Sequence, residues 1–158
     1  KISVTFYEDT YSLYNLYRFA HYYEEAYGKY IWLKSGASLV IEHTEAMTVI
    51  DVNTGSVLKK KRQEDTLFYQ INREAAKEIA RQIRLRNISG IIMIDFINMK
   101  DEKQKEKLLL LLENECRKDR IHCNVVDMTA LNLVEMTRSK VRRPLLEQIT
   151  VCRKMQKN

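Results

Sequence analysis

The amino-acid sequence predicts an α/β fold with a mixed sheet that contains βαβ units and carries helices packed on it. Strand-like and helix-like apolar patterns alternate between residues 47 and 126, the order typical of parallel strands joined by helices. Two β-rich runs in succession, residues 37–41 and 47–52, predict an antiparallel hairpin at the start of that series. One proline and four glycines argue against a turn-rich all-β protein.

Aromatic residues dominate the start of the chain. Residues 1–7 alternate as a strand would, and eight of the nine tyrosines fall within the first thirty residues. Between Tyr11 and Tyr27, apolar and aromatic residues recur at spacings of three and four, which predicts one face of a helix. Such a cluster can stack on nucleic-acid bases or pack against a neighbouring domain, and the pattern leaves both interpretations open.

The first βαβ unit follows the hairpin. Its helix is predicted from an N-cap at Asp65 to about Leu85, and Asn87 and Gly90 are suited to ending it. The apolar stripe of this helix consists of Phe68, Ile71, Ala75, Ile79 and Ile83. The next run, residues 91–94, is continuously apolar, which predicts a strand buried on both faces.

The second unit repeats the order helix, then strand. A helix is predicted from about Asp101 to Asp119 and a buried strand at residues 123–126, and a further element starts at residues 131–134. Right-handed crossovers would place both helices on one side of the sheet, unless the strand order reverses between them.

Three predicted strands end in an aspartate. The runs TVID, IIMID and NVVD place Asp51, Asp95 and Asp127 where each strand gives way to a loop. If the strands are parallel neighbours, their carboxyl ends share one edge, where a divalent cation that prefers oxygen ligands would relieve the repulsion and could activate water. Asn53 could hydrogen-bond an aspartate or orient that water. In the alternative interpretation, each aspartate only caps the turn that follows it.

Composition narrows the classes of protein and partner. Lys and Arg outnumber Asp and Glu by 27 to 21, and the net charge of +6 favours an anionic partner such as nucleic acid without requiring one. Three cysteines with no C-x-x-C pair indicate a reduced, cytoplasmic protein. No apolar run approaches the roughly 20 residues of a membrane span, and the start has no secretory leader pattern. The opening lysine in a strand-like run suggests a piece of a longer protein.

Several long stretches resemble the ribonuclease E/G family. They are SGASLVIEHTEAMTVIDVNTG at residues 35–55, EAAKEIARQIRLRNISGIIMIDFINM at residues 74–99 and LNLVEMTRSKVRRPL at residues 131–145. The resemblance covers roughly residues 34–145, and YEDTYSLYNLY is similar to the segment that leads into this region. It implies a deoxyribonuclease I-like catalytic subdomain at residues 27–143, preceded at 1–26 by the end of a ribonuclease H-like subdomain.

The resemblance also implies an activity and a site. The family cuts single-stranded RNA internally during RNA processing and decay and leaves a 5′-phosphate on the downstream product. Asp51 and Asp95 correspond to its magnesium ligands, with Mn²⁺ able to substitute, and Asn53 corresponds to the asparagine that supports them in catalysis. Asp127 matches neither ligand, which leaves it a structural or supporting role.

Two basic groups are predicted to contact RNA near the metal, because lysine and arginine neutralise phosphates. One lies in the stretch that resembles the family's closing motif, and the other follows the Asp51–Asn53 loop. The residues are Arg138, Lys140, Arg142, Arg143 and Arg62. For the adjoining run at 59–61, a solvated charged loop is the alternative interpretation.

The basic tail, residues 144–158, departs from the family. The family commonly continues into a C-P-x-C zinc-link motif that joins two protomers, whereas this tail has Cys152 but Met155 where a second cysteine would be expected. A shared thiolate site needs two good ligands from each chain, so no zinc is predicted, and a homo-oligomer would have to form without a zinc link. The family's S1 domain and 5′-end sensor also have no counterpart in the sequence. Two alternatives therefore remain: a catalytically weak RNA-binding or protein-interaction fragment, and a phosphate-ester hydrolase acting on DNA or small molecules.

Overall fold

The computed structural model describes residues 2–55 and 64–148, except for the side chains of Glu25 and Glu64. The basic run at 59–62 and the tail from residue 149 lie outside the described residues. Within the described ranges, the strands are β1 (Tyr30–Trp32), β2 (Ser38–His43), β3 (Met47–Asn53), β4 (Gly90–Asp95), β5 (Cys123–Met128) and β6 (Leu133–Arg138). The helices in the same ranges are α1 (Leu13–Leu16), α2 (Phe19–Tyr27), α3 (Glu64–Arg86) and α4 (Glu102–Cys116). None of these helices is both long and apolar enough to cross a membrane.

The strands form one mixed sheet in the order β1-β2-β3-β4-β6-β5. The β2–β3 hairpin is antiparallel, and β3 and β4 are parallel neighbours joined through α3. β6 pairs antiparallel with both β4 and β5, so it separates those two strands. The predicted fold class, a mixed sheet with a preceding hairpin, is therefore confirmed.

One face of the sheet carries the core. Alternate strand residues point towards α3 and α4, and the buried ones are Leu39, Ile41, Ile50, Val52, Ile92, Ile94, Val134 and Met136. The helices supply the other half of the core through Ile71, Ala75, Ile79, Ile83, Leu108 and Leu112. Both crossovers run in the same direction along the sheet, so α3 and α4 pack side by side on one face, as right-handed connections require.

The opposite face of the sheet is not covered by the described residues. Ile91 points there and is 49% exposed, so the prediction that residues 91–94 are buried on both faces is wrong. Because α3 and α4 both pack on the same face of the sheet, alternate residues of β4 have no helix of the described ranges packed over them. This uncovered side, called the open face below, carries the candidate site.

The structure differs from the sequence prediction at the start of the chain and at the N-terminus of α3. Residues 2–8 form no strand, and the helix predicted from Tyr11 to Tyr27 is two helices, interrupted where Arg18 adopts a left-handed φ of 50°. Asp65 lies inside α3 instead of capping it. Asn87 does end α3, with a φ of 50°, and Asp101 caps α4 by accepting from the Lys103 amide at 2.9 Å.

Candidate metal centre

Asp51 and Asp95 lie side by side on the open face. They are register partners on the parallel strands β3 and β4, so their side chains point the same way from backbones about 4.8 Å apart. Their neighbours Ile50 and Ile94 are also register partners and are fully buried against the helices. Strand alternation therefore directs the two carboxylates away from the core, at the carboxyl ends of both strands.

The two carboxylates influence each other. The pKa of Asp95 lies above its ordinary value, first because partial burial disfavours the charged form and second because the charge of Asp51 repels it. Asn53 donates from Nδ2 to Oδ2 of Asp51 at 2.7 Å, which fixes the orientation of that carboxylate. Among residues 2–55 and 64–148, no lysine or arginine forms an ion pair with either aspartate. The pair thus holds negative charge that a cation would compensate.

The donor set suits a hard divalent cation. Mg²⁺ usually takes one or two carboxylates and completes its shell with water. In the described parts of the chain, no three His, Cys, Asp or Glu side chains converge as a ligand group, so a cation here would have two carboxylate ligands and exposed space for water. That arrangement fits magnesium better than zinc, which prefers nitrogen and sulfur ligands.

A buried asparagine fixes the backbone after Asp95. Asn72 on α3 is fully buried; its Nδ2 donates to the Ile97 carbonyl at 2.7 Å, and its Oδ1 accepts from the Ile97 amide at 3.0 Å. Ile97 is two residues beyond Asp95, so this clamp determines how the chain leaves β4. Asn72 is not among the site residues predicted from the sequence, although a polar side chain directly beside the apolar stripe of a helix is a signal that could have indicated it.

A second close contact lies beyond Asn53. Gly55 has a φ of 57°, and a Cβ there would lie 2.5 Å from the carbonyl oxygen of Gly36. Only glycine fits both the left-handed conformation and this close approach. The backbone at Gly55, two residues beyond Asn53, therefore lies against the turn that precedes β2.

Sequence comparison identifies the family. A profile of the ribonuclease E/G family matches residues 1–141. The chain belongs to this family. Ribonuclease G of Escherichia coli K12 is 45% identical over 122 residues, which cover 77% of this chain and 25% of that protein. Ribonuclease G of Haemophilus influenzae is 43% identical over 133 residues (84% and 27%), and ribonuclease E of a Nostoc species is 42% identical over 115 residues (73% and 17%). The chain thus spans about a quarter of the length of these ribonuclease G relatives.

The third strand-end aspartate lies apart from Asp51 and Asp95. Asp127 is on β5, opposite Glu135 of β6, and β6 stands between β5 and β4. Two strand steps, about 10 Å, therefore separate β5 from the strand of Asp95. The carboxylate of Asp127 accepts from the Met128 amide at 2.7 Å. Asp51 and Asp95 are therefore neighbours, whereas Asp127 lies away from both.

Arg138 is a structural residue. Its side chain points to the covered face of the sheet and is 4% exposed. Nε donates to Asp119 at 2.9 Å, and the guanidinium also donates to the Asn87 side chain and the Ile88 carbonyl, both at 2.9 Å. The predicted RNA contact of Arg138 does not fit this burial, because reaching a phosphate would break a buried ion pair.

The exposed basic residues that follow Arg138 lie far from the carboxylate pair. Lys140, Arg142 and Arg143 follow the end of β6 that pairs with Gly90, at the start of β4. Asp95 is at the other end of β4, five residues and about 17 Å away. These three residues therefore lie away from a metal held by the carboxylate pair, and their contact with RNA stays a prediction. Arg62 lies outside the described residues.

Proposed function

We propose that this chain carries the divalent-metal site of an endoribonuclease, which cleaves single-stranded RNA by attack of water and leaves a 5′-phosphate. The observation that carries the proposal is the register pairing of Asp51 with Asp95 on the open face, next to Asn53. Membership of the ribonuclease E/G family and the names of the ribonuclease G and E relatives support the RNA substrate. Magnesium is the proposed cofactor, with manganese able to replace it.

The chain's own residues hold and orient the charges of the reaction. A bound Mg²⁺ supplies activation of water and stabilisation of negative charge at the scissile phosphate. Asp51 and Asp95 hold the cation, and the hydrogen bond from Asn53 leaves the other oxygen of Asp51 available as a ligand. Because the pKa of Asp95 is raised, protons compete for this carboxylate more strongly than for an ordinary aspartate. Metal binding and cleavage should therefore weaken together as the pH falls.

The test combines a metal-binding measurement with a cleavage assay. Mg²⁺ or Mn²⁺ binding is followed by calorimetry, and cleavage is followed with a single-stranded RNA labelled at its 5′ end. Asp51→Asn and Asp95→Asn should each lose metal affinity and cleavage while remaining folded by circular dichroism. Asp127→Asn is the matched control and should keep both. Undiminished cleavage in the two folded pair variants would sink the metal assignment.

A second candidate function is a catalytically weak part that binds RNA or a protein partner. The exposed aromatic side chains in and between α1 and α2 favour it, since Tyr14, Tyr17 and Tyr22 are each at least half exposed. Positioning the substrate supplies much of an enzyme's rate, and this chain spans only about a quarter of its ribonuclease G relatives. Tight metal binding with negligible cleavage of RNA, and full cleavage by the longer protein, would favour this second function.

A further inference from the structure

Two aromatic side chains share the open face with the carboxylate pair. Tyr30 and Trp32 lie on β1, with the buried Ile31 between them directed at the core. Register pairing places Tyr30 in one row with Val40 and Asp51. Trp32 lies in the next row, with Ser38 and Asn53.

The aromatic pair is within one nucleotide's reach of the candidate site. β1 is two strand steps from β3, so each ring projects from a backbone about 10 Å from that of Asp51 or Asn53. The side chains between them, Val40 and Ser38, are small. A phosphate at the carboxylates could therefore have its own or the adjacent base above this part of the sheet.

Both rings are largely exposed. Tyr30 is 60% exposed and Trp32 is 73% exposed, on a strand that forms the edge of the described sheet. The Lys29 ammonium lies 5.7 Å from the centre of the Tyr30 ring and also pairs with Glu42. Exposed aromatic rings next to a cation and in line with a phosphate-binding site are the elements from which single-strand binding surfaces are built.

We propose that Tyr30 and Trp32 form a stacking platform for one or two bases of single-stranded RNA next to the scissile phosphate. The proposal rests on the proposed function, because RNA is the occupant it assigns. Every base has a π-face, so the platform tolerates different sequences while holding the strand at a fixed distance from the metal ligands. Loss of one stacked base should weaken RNA binding about tenfold or more.

The sole tryptophan of the chain provides a direct test. Its fluorescence reports on Trp32 alone, so a single-stranded RNA oligonucleotide, titrated into the chain in EDTA to prevent cleavage, should quench the emission. The same oligonucleotide with abasic riboses should quench little, since only bases stack. Emission that the intact oligonucleotide leaves unchanged, or that the abasic oligonucleotide quenches equally, would overturn the proposal.

Variants separate the platform from the metal site. Trp32→Leu should weaken RNA binding about tenfold or more and raise KM, with Mn²⁺ affinity unchanged, and Trp32→Phe should restore most of the binding. Tyr22→Leu, which removes a 59% exposed ring on α2, is the matched control and should change neither value. RNA affinity unchanged in Trp32→Leu refutes the platform. If cleavage still disappears in Asp51→Asn, that result leaves the proposed function standing.

Discussion

Replacing Asp95 by asparagine should stabilise the metal-free protein while it destroys metal binding. In the absence of metal, Asp51 and Asp95 are parallel register partners without a compensating cation among the described residues. Asparagine keeps the shape of the side chain and removes one of the two charges. Repulsion between the two carboxylates thus lowers the free energy of unfolding of the metal-free protein, and a bound cation would remove this repulsion.

The size of the effect follows from the geometry. Two unit charges about 5 Å apart repel by about 3 kcal/mol at an effective dielectric constant of 20 and by about 1 kcal/mol in water. Asp95 is exposed, so the lower value applies. In a protein of this size, about 1 kcal/mol raises the melting temperature by about 3 °C.

The pH dependence has a definite sign. Because the folded pKa of Asp95 is raised, the folded state holds this proton more tightly than the unfolded chain. Stability is therefore lost as the pH rises from the ordinary aspartate pKa through the raised one. The Asp95→Asn variant lacks this loss, so its advantage should be complete near pH 7 and shrink towards pH 4.

Thermal unfolding at pH 7, with EDTA and with 10 mM MgCl₂, measures both effects. With a Kd of about 1 mM, magnesium would stabilise the unmodified protein by about 1.4 kcal/mol and leave Asp95→Asn unchanged. Asp127→Asn, the outlying aspartate, should show neither the gain in EDTA nor the loss of the magnesium effect. A metal-free Asp95→Asn that melts below the unmodified protein, or that magnesium still stabilises, would refute the reasoning.

Three further substitutions test the surroundings of the pair. Asn72→Ala leaves the amide and carbonyl of Ile97 without partners, so it should lower the free energy of unfolding in urea by about 2–4 kcal/mol and weaken Mg²⁺ binding in calorimetry. Gln82→Ala is the control, because it removes an equally buried amide from α3 about 15 Å away. It should lower the free energy of unfolding without changing Mg²⁺ binding. Arg138→Met should lower the free energy of unfolding by about 3–5 kcal/mol at pH 7, because it leaves the buried carboxylate of Asp119 without its cationic partner. Burial would raise the pKa of Asp119, but hydrogen bonds from the Ile121 amide and Arg138 hold that pKa below its ordinary value. The pair therefore stabilises the fold above the ordinary aspartate pKa, and this stabilisation is lost as the pH falls. Urea unfolding at several pH values should show a smaller acid-dependent loss of stability in the variant. Gly55→Ala should lower the melting temperature by several degrees and weaken Mg²⁺ binding, because an added Cβ would meet the Gly36 carbonyl oxygen in a left-handed backbone conformation. Unchanged values of both would show that the close contact of Gly55 with Gly36 does not support Asn53.

The part of the site that the sequence predicted depends on local patterns. Asp95 ends β4 and Asp51 lies two residues before the end of β3, each after an apolar run, and the helix between the two strands indicates a parallel crossover that makes them neighbours. The hairpin before Asp51 was equally local, since both of its strands and its turn lie within residues 37–53. Short-range signals were sufficient for these features.

The rest depends on pairing over long distances. Nothing in the β5 segment indicates that β6, which follows it, inserts beside β4 and moves Asp127 away from the pair. Arg138 belongs to a basic run that looks solvent-exposed, and only the approach of Asp119 and the end of α3 explains its burial. Such contacts are set by tertiary packing, so neither composition nor periodicity could predict them.

The crossover between β3 and β4 has a consequence for the order of folding. Asp51 and Asp95 are 44 positions apart (95 − 51 = 44), and they become neighbours only when β4 docks beside β3. A nascent or partly folded chain that has formed the hairpin and α3 would offer an incoming cation one carboxylate instead of two. Metal affinity therefore reports closure of the sheet, a late non-local event, whereas helix content measured by circular dichroism can rise before it.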